Sequence, residues 1–243
     1  MIAYSFPDTG NSLKAARDIA EKCSGVIRSM RETVTQPEPQ DAVGFVFPVY
    51  HGSVPNAVER FIRDSVFVSE YFFAVATCGA MGGDAIAAVG DILRQKGQTL
   101  HYGKVCRAYP NYIAMYPMFR NRRRVPVAQD RRMAKIAGDI YGRIQTDIPQ
   151  VSKMAAKMAA ERAKYPEMDK NYTVTDSCVK CGLCAKICPV GNIAPKAGKP
   201  LFLHNCEQCM ACIQWCPHKS INTPKTVKRR RYTNPSIKAE DLM

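Results

Sequence analysis

Two stretches of this chain repeat one spacing, C-x2-C-x2-C-x3-C-P. The first is Cys178-Val-Lys-Cys181-Gly-Leu-Cys184-Ala-Lys-Ile-Cys188-Pro189; the second, 28 positions later, is Cys206-Glu-Gln-Cys209-Met-Ala-Cys212-Ile-Gln-Trp-Cys216-Pro217. Three thiols two residues apart face one centre only if the backbone curls tightly, and Gly182 and Ala211 suit that turn. Each proline fixes the backbone at the end of its run and withholds a donor. A disulfide framework suits short secreted chains, whereas eight of the eleven cysteines here crowd into 39 of 243 residues. Zinc sites use two C-x2-C pairs, or cysteine with histidine, around each ion, which leaves the third and fourth cysteines and the prolines unexplained. The spacing is that of thiolates bound to iron-sulfur clusters.

Residues 170–224 resemble the bacterial-type two-cluster ferredoxin domain on these runs. In that family the fourth cysteine of each run reaches the other cluster. The resemblance therefore assigns Cys178, Cys181, Cys184 and Cys216 to one 4Fe-4S cluster, and Cys206, Cys209, Cys212 and Cys188 to a second.

A length of 243 residues with 46% hydrophobic content fits one sizeable core plus a small module. The longest apolar stretch, 71–81, is cut off by Gly82-Gly83-Asp84, so no membrane partner is expected. The N-terminus has no basic start and no cleavage-like stretch, and a cytoplasmic, reducing setting is expected. The formal charge of +14 is reduced by about −2 for each thiolate-ligated cluster. The basic residues concentrate at Arg120, Arg122, Arg123, Arg124, Arg131 and Arg132, and at Lys225, Lys228, Arg229, Arg230 and Arg231. They read as a solvated face and a disordered tail, or as steering toward an acidic redox partner. No recognition motif or aromatic interleaving supports a nucleic acid.

At the N-terminus an apolar run, 2–6, leads through Pro7-Asp8-Thr9-Gly10-Asn11-Ser12 into an amphipathic pattern at Leu13, Ala16, Ile19 and Ala20. A hydroxyl-rich loop feeding a helix N-terminus presents amides and the helix dipole to an anion. The Gly-Lys-Ser/Thr ending and G-x-G-x-x-G are both absent. Thr9-Gly10-Asn11-Ser12 resembles the FMN phosphate loop of flavodoxins, Ser/Thr-x-Thr-Gly-Asn-Thr/Ser, departing from it at Pro7, which lacks the hydroxyl.

Two buried-type strands follow, 41–47 and 71–77, each running into a glycine-containing loop and then a helix. In a doubly wound sheet such loops converge at the carboxyl ends of the strands. By resemblance to flavodoxins, Pro48, Val49, Tyr50, His51 and Gly52 flank one side of an isoalloxazine, and Thr77, Cys78, Gly79, Gly82 and Gly83 the other. Tyr50 stacks on the ring or is a rim aromatic; His51 is a loop histidine or a proton donor; Cys78 packs or touches the flavin. Asp8 and the four residues after it complete the expected FMN site.

An edge strand is expected at 105–109, and helices at 127–145 and 148–164 that bridge the domains or form a dimerisation hairpin. Trp215 and His218 beside the second run tune or shield a cluster, or simply pack. The expected organisation is a flavodoxin-like FMN domain (1–125), a helical linker (126–168), a two-cluster ferredoxin domain (169–224) and a basic tail (225–243). The fold class is α/β, a five-stranded parallel sheet of order 2-1-3-4-5 followed by a small α+β domain. This arrangement resembles the fused flavodoxin-ferredoxin proteins of anaerobes often labelled EFR1-type. The resemblance implies FMN and two 4Fe-4S clusters, converting one-electron to two-electron steps. A ferredoxin-dependent reductase acting on a small-molecule acceptor is the alternative, and an interaction protein with structural clusters a third reading.

Overall fold

The computed structural model describes residues 1–118 and 124–243, so Arg120, Arg122 and Arg123 of the first basic concentration lie outside the described residues. The chain divides into two compact units, one of 1–7, 11–109 and 121–162, the other of 8–10, 110–120 and 163–243.

The first unit is built on β1 (Ile2–Ser5), β2 (Val26–Ser29), β3 (Val43–Pro48), β4 (Phe72–Cys78) and β5 (Leu100–Arg107). They form one parallel sheet of order β2-β1-β3-β4-β5, the flavodoxin-like arrangement the sequence expects. β3 and β4 are buried along their whole length, which is why they read as unbroken apolar runs rather than alternating ones. Gly44 lies opposite Phe73, and a Cβ there would meet that ring at 1.9 Å. The missing side chain lets the ring lie across the neighbouring strand.

Connecting these strands are α1 (Asn11–Lys22), α2 (Asn56–Asp64) and α3 (Ala85–Gln95), with α4 (Arg124–Tyr141) and α5 (Ala155–Arg162) after the sheet. Ala15, Ala16 and Ile19 of α1 share a core with Val46, Phe73, Val75 and Tyr102 of the sheet and with Met133, Ile136, Ala137 and Ile140 of α4. The α4 positions recur at i, i+3, i+4 and i+7, one helical face. Thus α4, expected within a linker, is a packing helix of the sheet unit, and its apolar face is used inside the chain. Elsewhere in this unit Tyr4, Phe45, Phe61 and Phe67 form a ring cluster with centroids 5.1–6.4 Å apart.

The expected helix over 148–164 is shorter in the structure, beginning at Ala155. Ile148 precedes Pro149, a position biased toward extended backbone. The preceding segment covers the edge of β5 instead: Thr146 N donates to His101 O at 2.9 Å, and Gly103 N donates to Thr146 Oγ1 at 2.9 Å. An open sheet edge is thereby closed. The edge strand itself runs Leu100–Arg107, earlier than the expected 105–109.

The second unit contains β6 (Thr173–Val174), α6 (Leu183–Lys186), β7 (Ile193–Lys196), β8 (Lys199–Phe202), α7 (Ala211–Gln214) and β9 (Ile221–Asn222). Its two halves repeat at the sequence interval of 28. Val174 pairs with Ile221 in one antiparallel ladder, and Phe202 with Ile193 in the other. Positive φ recurs at matched places: Lys180 and Gln208, Gly182 and Met210, Gly191 and Lys219. The residues after 224 pack rather than trail into solvent, since Tyr232, Ile237 and Leu242 are 2%, 5% and 2% exposed. Among the described residues no helix is long and apolar enough to cross a membrane.

Candidate metal centre

Each cysteine run folds as a turn with two left-handed residues followed by a short helix. Cys178, Cys181, Cys184 and Cys216 line one cavity, whose wall includes Ile193 and Ile221. Three of the four come from the first run and one from the second.

Cys206, Cys209 and Cys212 gather with Cys188. Burial pushes the Cys209 thiol well up, and the negative charges of Cys188, Cys212 and Cys206 push it further. Cys184 is raised to about 11, by burial first and then, against a lowering amide bond from Ala185, by Cys216, Cys181 and Cys178. Cys212 is likewise raised by burial first and then by Cys206, Cys188 and Cys184, the last from the other expected set. Buried thiols held this high give up their protons to iron rather than to water, which couples deprotonation to metal binding.

Amides aim at the sulfurs in matched positions. Asn192 N donates to Cys188 Sγ at 3.2 Å, and Ser220 N, 28 residues on, donates to Cys216 Sγ at 3.3 Å. Gln208 donates to Cys206 Sγ through both its backbone N and its Nε2, each at 3.3 Å. The Tyr172 hydroxyl lies 4.0 Å from the same sulfur. Such bonds spread thiolate charge and raise the potential of a bound cluster. Among the described residues, no group of three or more His, Cys, Asp or Glu is arranged to hold a metal ion. A cubane bound by one thiolate at each of four irons asks for a wider cage than a single tetrahedral zinc.

The expected FMN residues present a different picture. Within the second unit the Asp8 carboxylate accepts from the amides of Thr9 and Gly10, and Thr9 Oγ1 donates to Asp8 Oδ1 at 3.4 Å. Asn234 N donates to Thr9 O at 2.8 Å, Trp215 Nε1 donates to Asp8 O at 3.0 Å, and Asn111 Nδ2 donates to Thr9 Oγ1. A Cβ on Gly10 would lie 3.0 Å from both Asn234 Cβ and Ile237 Cβ, so the C-terminal segment sits directly against the loop. Asp8 and Thr9 are 2% and 0% exposed. The loop has the residue types of a phosphate cradle, but its amides and hydroxyl are turned to its own carboxylate. In this arrangement it does not fit a phosphate monoester.

In the first unit, Asn11 Nδ2 donates to Tyr109 O at 3.1 Å, and Ser12 Oγ and Thr77 Oγ1 are hydrogen-bonded at 2.8 Å. Pro48 ends β3, and Val49 N donates to Thr77 O at 2.9 Å. Tyr50 and Ser53 exchange two backbone bonds across a tight turn in which His51 and Gly52 have φ of +46° and +68°. Tyr50 packs edge-on to Phe6, with ring centroids 6.5 Å apart. Gly52 O accepts from Asp84 N at 2.7 Å, and a Cβ on Gly83 would lie 2.0 Å from that oxygen. A ring inserted between these loops has to break that contact. Cys78 is buried, and burial pushes its thiol up; Gly79 is exposed and Gly82 packs under Val105.

Several contributors have no local signature. Gln214 Nε2 donates to Asn111 O and its Oε1 accepts from Tyr232 N, both at 2.8 Å, tying α7 to the segment that follows β5 and to the C-terminal segment. The fully buried Asp169 bonds Asn192 Nδ2 at 2.7 Å and His204 Nδ1 at 2.6 Å, bracing the turn around Cys206. His218 lines the first cavity, as the sequence proximity to Cys216 suggests.

Residues 172–194 match the 4Fe-4S binding domain family, a span holding the first cysteine run but not the second. No curated protein matches the chain. Among solved structures, an azoreductase from Bacillus anthracis str. Sterne is 10% identical with a TM-score of 0.41, the match covering 57% of this chain and 98% of that one. An NAD(P)H:quinone oxidoreductase from Methanothermobacter marburgensis is 11% identical with a TM-score of 0.39, covering 57% and 94%. Neither is close enough to carry an argument about activity.

Proposed function

We propose that this chain is an electron-transfer protein holding two 4Fe-4S clusters in its C-terminal unit. The observation that supports the reading is one cavity lined by Cys178, Cys181, Cys184 and Cys216, three thiols from the first run and one from the second, together with Cys209 lying within reach of the charge of Cys188 as well as of its own run. Such a cluster passes one electron at a time. The chain's own residues supply the thiolates, donate amides to the sulfurs and enclose the sites in apolar side chains. Lys225, Lys228 and Arg230 are exposed on the same unit and suit an acidic redox partner.

The finer reading adds FMN at the sheet unit and conversion between one- and two-electron steps, with reduction of a small-molecule acceptor as the enzymatic alternative. Its support is the residue types of Thr9-Gly10-Asn11-Ser12 and the flavodoxin-like strand order. Against it stand the Asp8 carboxylate on the loop amides and the Gly52–Asp84 bond. FMN therefore requires a second arrangement of both loops.

Anaerobic purification with iron, sulfide and released-flavin quantification on one sample tests both parts. About eight iron and eight sulfide per chain are expected, since two cubanes demand that count. About four iron or none overturns the two-cluster reading. Absence of flavin after incubation with excess FMN removes the finer part and leaves the electron carrier.

A further inference from the structure

The C-terminal basic run does not behave as one solvated patch. Lys225, Lys228 and Arg230 are exposed, whereas Arg231 is turned inward and is 9% exposed. Arg231 Nη2 donates to Asn222 Oδ1 at 2.6 Å and to Ile221 O at 3.2 Å, and Nη1 donates to Thr226 O at 3.4 Å. All three acceptors are neutral and belong to the strand and turn just after the second cysteine run. Tyr232, the next residue, is anchored through its amide to Gln214 of α7. The guanidinium is thus clamped from two sides in a fixed place.

That place is defined by the cysteines. Ile221, whose carbonyl it binds, lines the cavity of Cys178, Cys181, Cys184 and Cys216. Burial lowers the Arg231 pKa, and the negative charges of Cys216, from one expected ligand set, and Cys212, from the other, act against that lowering by favouring the cation.

We propose that Arg231 is a positioning residue for electron transfer: a buried, fixed positive charge shared by the two cysteine sets, which raises the reduction potential of both. The proposal rests on the two-cluster reading. An electron delivered by a reduced partner protein adds one negative charge inside a cysteine cage, the partner being oxidised by that same electron, and no bond forms or breaks. A nearby cation favours the more negative state, and it does so more strongly here than at the surface because little water screens it. Arginine suits the task because it stays protonated where a lysine could lose its proton on burial.

The test uses the full-length holoprotein, purified anaerobically, with Arg231→Gln, Arg231→Met and Arg231→Lys. Midpoint potentials come from EPR-monitored redox titration, and iron is counted on the same samples. The Gln variant is expected to keep about eight iron and to shift both midpoints to more negative values, with the Lys variant staying nearer the wild type. A fully loaded Gln variant with unshifted midpoints overturns the proposal. If Gln loses iron, Met carries the test, since it keeps the stem's packing without charge. Iron loss in both uncharged variants also overturns it, because the charge then serves assembly rather than potential. Wild-type protein with about four iron or fewer overturns the cluster reading itself, a result distinguishable from an unshifted variant.

Discussion

Gly182 and Met210 hold the same left-handed backbone position in two turns 28 residues apart, with φ of +73° and +61°. The glycine has open space where a Cβ would go, whereas Met210 is 2% exposed and packs its side chain. Equivalent geometry is therefore reached by opposite means. The first turn spends no strain; the second tolerates it because burial of the methionine outweighs it.

The two substitutions should separate these terms. Gly182→Ala adds only backbone strain, about 1 kcal/mol, since nothing stands within 4 Å of the new methyl. Met210→Gly relieves about 1 kcal/mol of strain but removes a buried side chain worth about 2–5 kcal/mol, so it destabilises on balance. Anaerobic thermal melts of both variants check the order: the Met210 variant should melt lower, although its backbone is the more relaxed.

Crossed ligation makes a prediction that single variants cannot. Cys188→Ala with Cys206→Ala removes two thiols from one set and should leave about four iron per chain. Cys188→Ala with Cys178→Ala strikes both sets and should leave close to none. The reverse order, about four iron without Cys178 and Cys188 and close to none without Cys188 and Cys206, means that each run serves its own cluster.

The cysteine spacing and the apolar strands were legible because both are local: a ligand pattern and a buried run can be read without knowing what lies across the molecule. The carboxylate of Asp8 could not be read as the occupant of its own loop, because Asp is equally good as a turn residue and as an anion. The docking of Asn234 and Ile237 on Gly10 joins positions more than 200 residues apart, and a basic, proline-containing segment reads as solvated tail. Arg231 is distinguished from Arg229 and Arg230 only by which way it turns, a property of packing rather than of sequence.

The same limit hid the role of α4, whose helical period was visible but whose partner was not. Met133 is fully buried in the core shared by α1 and the sheet. Met133→Ala should cost about 2–5 kcal/mol in urea unfolding of the sheet unit. Lys135→Ala, two residues on with its side chain 77% exposed and paired to Asp139 at i+4, should change stability by less than about 0.5 kcal/mol. A linker helix would show little difference between the two.

Asp8 gives the chain a pH dependence with a definite sign. Burial raises its carboxyl from 3.8 to about 6, against the lowering effect of the Thr9 and Gly10 amides and the Thr9 hydroxyl. A folded-state pKa above the unfolded one means that the unfolded chain releases this proton first, so the group costs stability as pH rises from about 4 through about 6. The difference, roughly 2 units at about 1.4 kcal/mol each, amounts to about 3 kcal/mol at neutral pH. Asp8→Asn keeps an oxygen for the loop amides and removes the charge. Its stability relative to wild type, measured by denaturant midpoints, should be equal near pH 4 and higher by up to about 3 kcal/mol at pH 7. The same variant also takes a negative charge out of the loop, so if the loop can hold a phosphate, FMN should bind Asp8→Asn more tightly than wild type. A pH-independent stability difference would mean that the carboxylate reaches water.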